Sequence, residues 1–532
     1  MRNILDKAKI LVIDDFSDFR LSIKAMLTQL GAQHVDQASN GRDGIKLCEQ
    51  NSYNIILCDY NLGEGQDGQQ VLEELHQRNL LKAGALFIMV TAETSAAKVI
   101  SAIEYQPDAY LTKPFTREQI ARRLQRLLYK NAALHKIYQA LHKNLTEEAL
   151  AYCDEIAEEF PKVRYACLRI KSEILEKSEE YEQALKVFQK VIDEQPLLWA
   201  VIGIGRIYFK TAEQKKSLEH FQLAKKQFEG QVSILDWIAK CQNSLGEQSK
   251  AEKTIKEALK ISPKSVTRQT SMGEVAESLS HFDIAQKAYG KAIVEGQHSC
   301  LIKPSHFSHY FDNTTELIQQ RQGTAQMRLL SEVETQSKKM ENLFQKQPSA
   351  LALNQASLAR LFHAGGNKEK TIRYLNRLNK TLEKPGCELE QNDFHYIENI
   401  LKPISEEKEF AQYTKNATNS LGLEPSEKVS EDDKTSAAHQ QAVSINNEGM
   451  TLVKQKKPLE AIAKFREAIA IFPENVSYLL NAAQVILENA ILSSDSNLIA
   501  EAQHYIASSS SLPEQDNRHE KYQRLKDLLP DE

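Results

Sequence analysis

Lys9-Ile10-Leu11-Val12-Ile13-Asp14-Asp15 places a short, almost wholly apolar run directly before two carboxylates. Such a run is expected of a parallel strand buried on both faces. The next residues change period. Phe19, Ile23, Met26, Leu27 and Leu30 are spaced for one helical face, which Gly31 ends. The alternation then recurs. HVDQAS is a weak strand and Gly41 to Gln50 a helix; NIILCD (54–59) is a strong strand, followed by a helix from Gln69 to Arg78. ALFIMV (85–90) is a strand with a helix from Thr94 to Glu104, and DAYL (108–111) a short strand with a helix from Thr116 to Tyr129. Five βα units in about 120 residues predict a doubly wound, five-stranded parallel sheet of flavodoxin-like type, with helices on both faces.

Ligands of such sheets bind outside the carboxyl ends of the strands. Strand one ends in Asp14 and Asp15, strand three in Asp59, strand four in Val90-Thr91, and Lys113 follows strand five. Three carboxylates at one edge repel unless neutralised, and a hard divalent cation with oxygen ligands, Mg²⁺ above all, meets that need. One carboxylate can then attack phosphorus while the metal and a lysine stabilise the developing charge. Taken singly, such residues are ordinary helix caps, surface groups or core packing. Their order along the chain, each at a predicted strand end, is what points to chemistry.

The order of elements and these positions resemble the receiver domain of bacterial two-component response regulators, nearest in pattern to the chemotaxis response regulator. The resemblance covers residues from about 8 to 130. It implies that Asp59, in LCDYNLGEGQDG, is the phospho-acceptor and that Asp14 and Asp15 bind Mg²⁺ together with Asp59 and the backbone carbonyl of Asn61. It makes Thr91 the switch hydroxyl, Tyr110 the switch aromatic and Lys113, in LTKPF, the active-site lysine, with Pro114 after a cis peptide bond. It further implies that Asn61 and Glu93, two residues beyond the acceptor and the switch hydroxyl, flank the path of the attacking water and tune dephosphorylation.

After Tyr129 the strand signals stop and a period of about 34 residues begins, that of tetratricopeptide repeats. Its marks are a small residue opening the second helix, an apolar residue four later, another three after that, and a proline beyond. They run Ala149, Cys153, Ile156, Pro161; Ala184, Phe188, Val191, Pro196; Ser217, Phe221, Ala224; Ala251, Ile255, Ala258, Pro263; and Ala285, Tyr289, Ala292. Small residues there, and Gly205 and Gly273 on the first helices, let two helices cross closely. The repeat resemblance implies an all-α superhelix whose groove carries Arg169, Glu173, Trp199, Arg206, Lys240 and Glu274; solvated charge is an equally good reading of the five charged ones.

The expected organisation is a receiver domain over 1–129, about five repeats over 130–299, and a divergent helical region over 300–421. A flexible acidic linker over 422–441 and C-terminal repeats with a capping helix over 442–532 complete it. Within the divergent region, Phe362, Thr371, Leu375 and Leu378 mark one repeat; in the last, Gly449, Ala461, Phe465, Ala468 and Pro473 mark another.

The net charge of −5 argues against a dedicated nucleic-acid binder. Seven scattered cysteines without a CxxC pair suit a reducing, cytoplasmic setting, and no run approaches the ~20 apolar residues of a membrane helix. Cys300, His306 and His309 lack a fourth ligand for zinc. No output module for DNA binding or catalysis is visible, so the chain is not expected to be an enzyme beyond its own Mg²⁺-dependent aspartyl phosphorylation and dephosphorylation. The expectation is a signalling adaptor. A histidine kinase or phosphotransfer protein phosphorylates Asp59, and this alters what protein the repeats bind; homodimerisation is left open. The alternatives are a phosphate sink competing for a shared kinase and an aspartyl-phosphatase of other receivers.

Overall fold

The computed structural model describes residues 5–92, 107–384, 386–420, 445–446, 448–449, 452–453, 457–471, 476–493, 496–509 and 519–529. The helix expected from Thr94 to Glu104, Glu93, the linker 422–441 and Pro473 lie outside the described residues. The chain forms two compact units, Met1–Leu423 and Glu424–Glu532.

The first unit opens with five strands, β1 (Lys9–Ile13), β2 (His34–Ala38), β3 (Ile55–Asp59), β4 (Leu86–Thr91) and β5 (Ala109–Thr112). All pairings are parallel, in the order β2-β1-β3-β4-β5. The doubly wound sheet read from the sequence is therefore present. Its two faces divide the apolar runs by parity. Ile10, Val12, Ile55, Leu57, Ile88 and Val90 share one core with Ile23 and Leu27 of α1 (Ser17–Gln29) and with Ile120 and Leu124 of the helix Arg117–Ala133. Leu11, Ile13, Ile56, Cys58, Phe87 and Met89 share the other with Ile45 of α2 (Gly41–Gln50) and Val71, Leu72 and Leu75 of α3 (Gly68–Gln77). Burial on both faces is why the strands lack polar alternation.

Helix Arg117–Ala133 gives way to an all-helical region. Between His135 and Glu295 lie five helix pairs, and in each the small residue of the second helix (Ala149, Ala184, Ser217, Ala251, Ala285) is fully buried. The close crossings are visible at the glycines. A Cβ at Gly205 would lie 2.3 Å from Phe221 Cζ, and one at Gly273 would lie 2.5 Å from Tyr289 Cε2. Gly203, which the sequence pattern does not single out, receives Phe188 in the same way, at 2.3 Å. The period also appears in the backbone. The turn inside each pair carries one left-handed residue, at Asn144, Glu179, Ala212, Gly246 and Ser280, where a left-handed position ends a helix.

Longer helices, Pro304–Gln319 and Thr324–Leu343, open the divergent helical region. The pair Pro348–Ala364 and Lys368–Leu382 buries Phe362, Thr371, Leu375 and Leu378. One apolar core runs from Ala276 through Phe307, Phe311 and Phe362 to Ala417, so the divergent helices share the core that closes the fifth repeat. The second unit holds helices Pro458–Ile471, Val476–Ser493, Ser496–Ser508 and His519–Asp527 around Ala461, Phe465, Ala468 and Ala502. Among the described residues no helix is long and apolar enough to cross a membrane.

Candidate functional site at the carboxyl edge of the sheet

Strand register assembles the site. Ile13 pairs with Cys58, which brings the next residues, Asp14 and Asp59, side by side where β1 and β3 end. Asp59 pairs with Val90 and Thr91 with Thr112, so Thr91 and Lys113 complete the same edge. Carboxylate oxygens of Asp14, Asp15 and Asp59 lie within 4.8 Å of one another. Asp14 and Asp59 are buried, whereas Asp15 is exposed. Lys113 Nζ donates to Asp14 Oδ2 and to Asp59 Oδ2, both at 2.8 Å. The Lys113–Pro114 peptide is cis.

Burial pushes the Asp59 carboxyl above the ordinary carboxylate value; Lys113 offsets part of this, and Asp14 and Asp15 add to it. Burial works against the charge on Lys113, yet its hydrogen bonds to Asp14 and Asp59 outweigh that and hold its pKa above the usual lysine value. The ammonium also sits 4.1 Å from the centre of the Phe19 ring, which itself meets Phe115 edge-on at 5.5 Å. Arg20 donates to the backbone carbonyl of Asp14 at 2.6 Å, and the Phe16 amide donates to Asp14 Oδ1 at 2.9 Å. The start of α1 thus fixes the first carboxylate.

Thr91 is 2% exposed, and its carbonyl accepts the Lys113 amide at 2.7 Å. The Tyr110 ring is half-buried beside the α3-side core; burial, then Tyr60, pushes its phenol well up, and none of the described residues hydrogen-bonds to the hydroxyl. Asn61 is exposed in the loop after β3. The structure therefore brings together Asp14, Asp15, Asp59, Thr91 and Lys113, with Tyr110 and Asn61 close in sequence to them.

Sequence reasoning missed the backbone contact beneath Asp59. Gly68 opens α3 with its amide on the Tyr60 carbonyl at 2.9 Å, and a Cβ there would lie 2.2 Å from the Asp59 carbonyl oxygen. Gly68→Ala is expected to move the β3 end, cost about 1–3 kcal/mol by overpacking, and slow phosphorylation in timed intact-mass assays. A normal rate at reduced stability would confine the role of Gly68 to packing.

The six groove candidates divide. Arg169 and Glu173 form an exposed pair at 2.9 Å, Trp199 packs edge-on against Phe188 at 6.0 Å, and Lys240 lies 4.8 Å from the Trp237 ring centre. Glu274 is exposed. Arg206 and Lys210 both pair with Glu176, which is 6% exposed; burial raises its carboxyl, but these partners hold it below the usual range. Arg268 likewise pairs with Asp236 at 2.7 Å. Partners about one repeat apart were a signal available in the sequence. His306 hydrogen-bonds Thr270 and Lys303, and His309 hydrogen-bonds Glu277.

The family profile described as the response regulator receiver domain matches residues 10–125. A "Probable chemotaxis protein CheY" of Rhizobium etli is 31% identical over 118 residues, 22% of this chain and 90% of that protein. "Chemotaxis protein CheY-3" of Vibrio cholerae is 29% identical over 128 residues, 24% of this chain and 97% of that protein. Among solved structures, the CheY4 chemotaxis protein of Vibrio cholerae is 26% identical and covers 23% of this chain and 98% of its own, with a TM-score of 0.21. A tetratricopeptide repeat protein from Parabacteroides merdae is 13% identical and covers 51% of this chain and 97% of its own, with a TM-score of 0.31. Through residues 10–125 the chain belongs to the response regulator receiver family, followed by a helical region that resembles tetratricopeptide repeats. Receiver domains bind Mg²⁺ through an acidic pocket, and Asp14, Asp15 and Asp59 form an acidic cluster here.

Proposed function

We propose that the chain is a phosphorelay adaptor in which phosphorylation of Asp59 regulates protein binding by the repeats. The observation that carries this reading is the double hydrogen bond of Lys113 to Asp14 and Asp59 at the edge where three carboxylates meet. In that reading a histidine kinase or phosphotransfer protein supplies the phosphoryl group. The N–P bond of its phosphohistidine breaks and an O–P bond to the Asp59 carboxylate forms. Water later splits that bond, returning the carboxylate and inorganic phosphate.

Asp14, Asp15, Asp59 and the Asn61 carbonyl would hold Mg²⁺, since the donor set is all hard oxygen. Bound there, the ion supplies positive charge for the transferring phosphoryl oxygens. Lys113 holds a second positive charge at the same oxygens, Thr91 offers a hydroxyl to the phosphoryl group, and Tyr110 is the aromatic that responds. Asn61 and Glu93 set the rate at which water enters.

The domain plan of this reading is a receiver over 1–129, repeats over 130–299, divergent helices over 300–421, a linker over 422–441 and a C-terminal repeat unit over 442–532, working in the cytoplasm. The test is affinity capture on immobilised full chain in three states: unmodified, phosphorylated and Asp59→Asn. A protein whose retention differs between the first two, and follows the unmodified state in the variant, is the expected result. Identical retention in all three, with phosphorylation verified by mass, would overturn the regulated-adaptor reading in favour of a phosphate sink.

A further inference from the structure

The receiver touches the repeats through α3, and it does so next to Asp59. The Asp67 side chain caps α3 by accepting the Gln70 amide at 2.8 Å, and Gln70 Oε1 accepts the Asp67 amide at 3.1 Å, a reciprocal capping box. The same Gln70 side chain donates through Nε2 to the backbone carbonyl of Glu295 at 3.1 Å. Glu295 is the last residue of the repeat helix Phe282–Glu295, so this bond occupies one of the carbonyls that a helix end leaves open. One turn further along α3, Glu73 is 8% exposed and accepts from Ser299 Oγ at 3.4 Å and from Gln69 at 3.2 Å. Residues 60–69 separate Gln70 from Asp59 along the chain, and Gly68 packs directly on the Asp59 carbonyl.

The receiver side carries Asp67, Glu73 and Glu74, the last paired with Arg78 at 2.9 Å, and the repeats present the negative end of a helix dipole. Burial, and then Glu73 and Glu74, push the Cys300 thiol up to about 11. Lys264, within reach of Asp67, offsets part of the negative charge. Converting the Asp59 carboxylate to an acyl phosphate replaces a charge of about −1 with one of about −2, at a residue whose backbone carbonyl packs on Gly68.

We infer that α3 is the receiver's face toward its own repeats, and that phosphorylation of Asp59 releases the contact of Gln70 and Glu73 with the turn Glu295–Ser299. This rests on Asp59 being the acceptor. It identifies the bistable element that the adaptor reading needs, a dock held by two side chains and biased by charge beside it.

The test is hydrogen exchange on the full chain with Mg²⁺, with and without acetyl phosphate, which transfers its phosphoryl group and leaves as acetate. In the docked chain the Gly296, Ser299 and Ile302 amides are bonded to Ala292, Gly296 and Ser299. Peptides covering 295–303 are expected to exchange severalfold faster after phosphorylation. Gln70→Glu keeps the acceptor that caps Asp67 but loses the donor to Glu295. It is expected to speed exchange at 295–303 without acetyl phosphate while phosphorylation proceeds. Ser299→Asp, which sets a carboxylate against Glu73, is expected to do the same from the other side. Phosphorylated protein with unchanged exchange at 295–303, or variants that exchange like wild type, would overturn the inference. Absence of a phosphoryl mass increment would instead remove the acceptor assignment and this inference with it.

Discussion

Asp59→Asn is expected to abolish acid-stable, base-labile phosphorylation by acetyl phosphate or a kinase, and at the same time to stabilise the metal-free chain. The two effects have one cause. Asp59 shares a buried edge with Asp14 and stands near Asp15, and only one Lys113 ammonium bridges the first pair. The folded carboxyl pKa lies above its unfolded value, so the folded state binds this proton more tightly. Its contribution is therefore present at acid pH and lost as pH rises from the ordinary carboxylate range through the raised value. Above that window the ionised group weakens the fold, and the uncharged amide removes the penalty. Thermal unfolding at neutral pH without Mg²⁺ should show a higher Tm for Asp59→Asn. Mg²⁺ should raise the Tm of wild type more than that of the variant, which lacks one ligand. Asp18→Asn, on the exposed first turn of α1, should leave labelling intact. Labelling of Asp59→Asn at wild-type stoichiometry would refute the assignment, and loss of labelling with a collapsed Tm would show only unfolding.

The sheet was legible because its strands are buried on both faces. NIILCD reads as one unbroken apolar run ending in a carboxylate, and β3 occupies Ile55–Asp59 with every residue buried. The edge residues were legible as well, since parallel register converts "last residue of a strand" into "neighbour across the site". What the sequence hid is interaction across distance. Gln70 and Glu295 are 225 residues apart, and a glutamine at the third position of a capped helix reads as local capping. Glu73 and Ser299 are both polar types ordinarily left to solvent. Phe19 was legible as a core position of α1, but not as the ring beneath Lys113.

The same limit applied within the repeats. Gly205 and Gly273 declared themselves by matching position and Phe188 by the repeat period, while Gly203, which receives the Phe188 ring, did not. The Arg206–Glu176 and Arg268–Asp236 pairs join neighbouring repeats, 30 and 32 residues apart. Such pairs are spread along an array whose units stack only on their neighbours, so each interface is specified locally. A signal delivered at the Glu295–Ser299 turn enters at the junction of the fifth repeat with the divergent helices. There Ala285, Tyr289, Phe307 and Phe311 belong to one core. Release of α3 is thus placed to alter the packing of two helical regions at once.

The third repeat gives the largest expected stability effect. Phe221 is fully buried, its ring lies against Gly205 with three ring atoms 2.3–2.7 Å from where a Cβ would stand, and it stacks on Trp237 at 5.7 Å and 10°. Phe221→Ala is expected to cost about 3–5 kcal/mol, from lost burial and the cavity left between two helices. Gly205→Ala gains about 1 kcal/mol of helix propensity but meets the ring, and overpacking of about 1–3 kcal/mol outweighs it. Combining Gly205→Ala with Phe221→Leu should cost less than the sum of the two single changes, because a smaller side chain makes room for the methyl; the difference is the coupling a double-mutant cycle reads. The readout is built in. The chain has two tryptophans, Trp199 and Trp237, and both lie in the repeats, so tryptophan emission follows the array while the receiver stays silent. Denaturant titrations by emission should show a lowered midpoint for each single variant. Additive losses in the double variant would mean that Gly205 and Phe221 do not share the contact on which the third repeat is built.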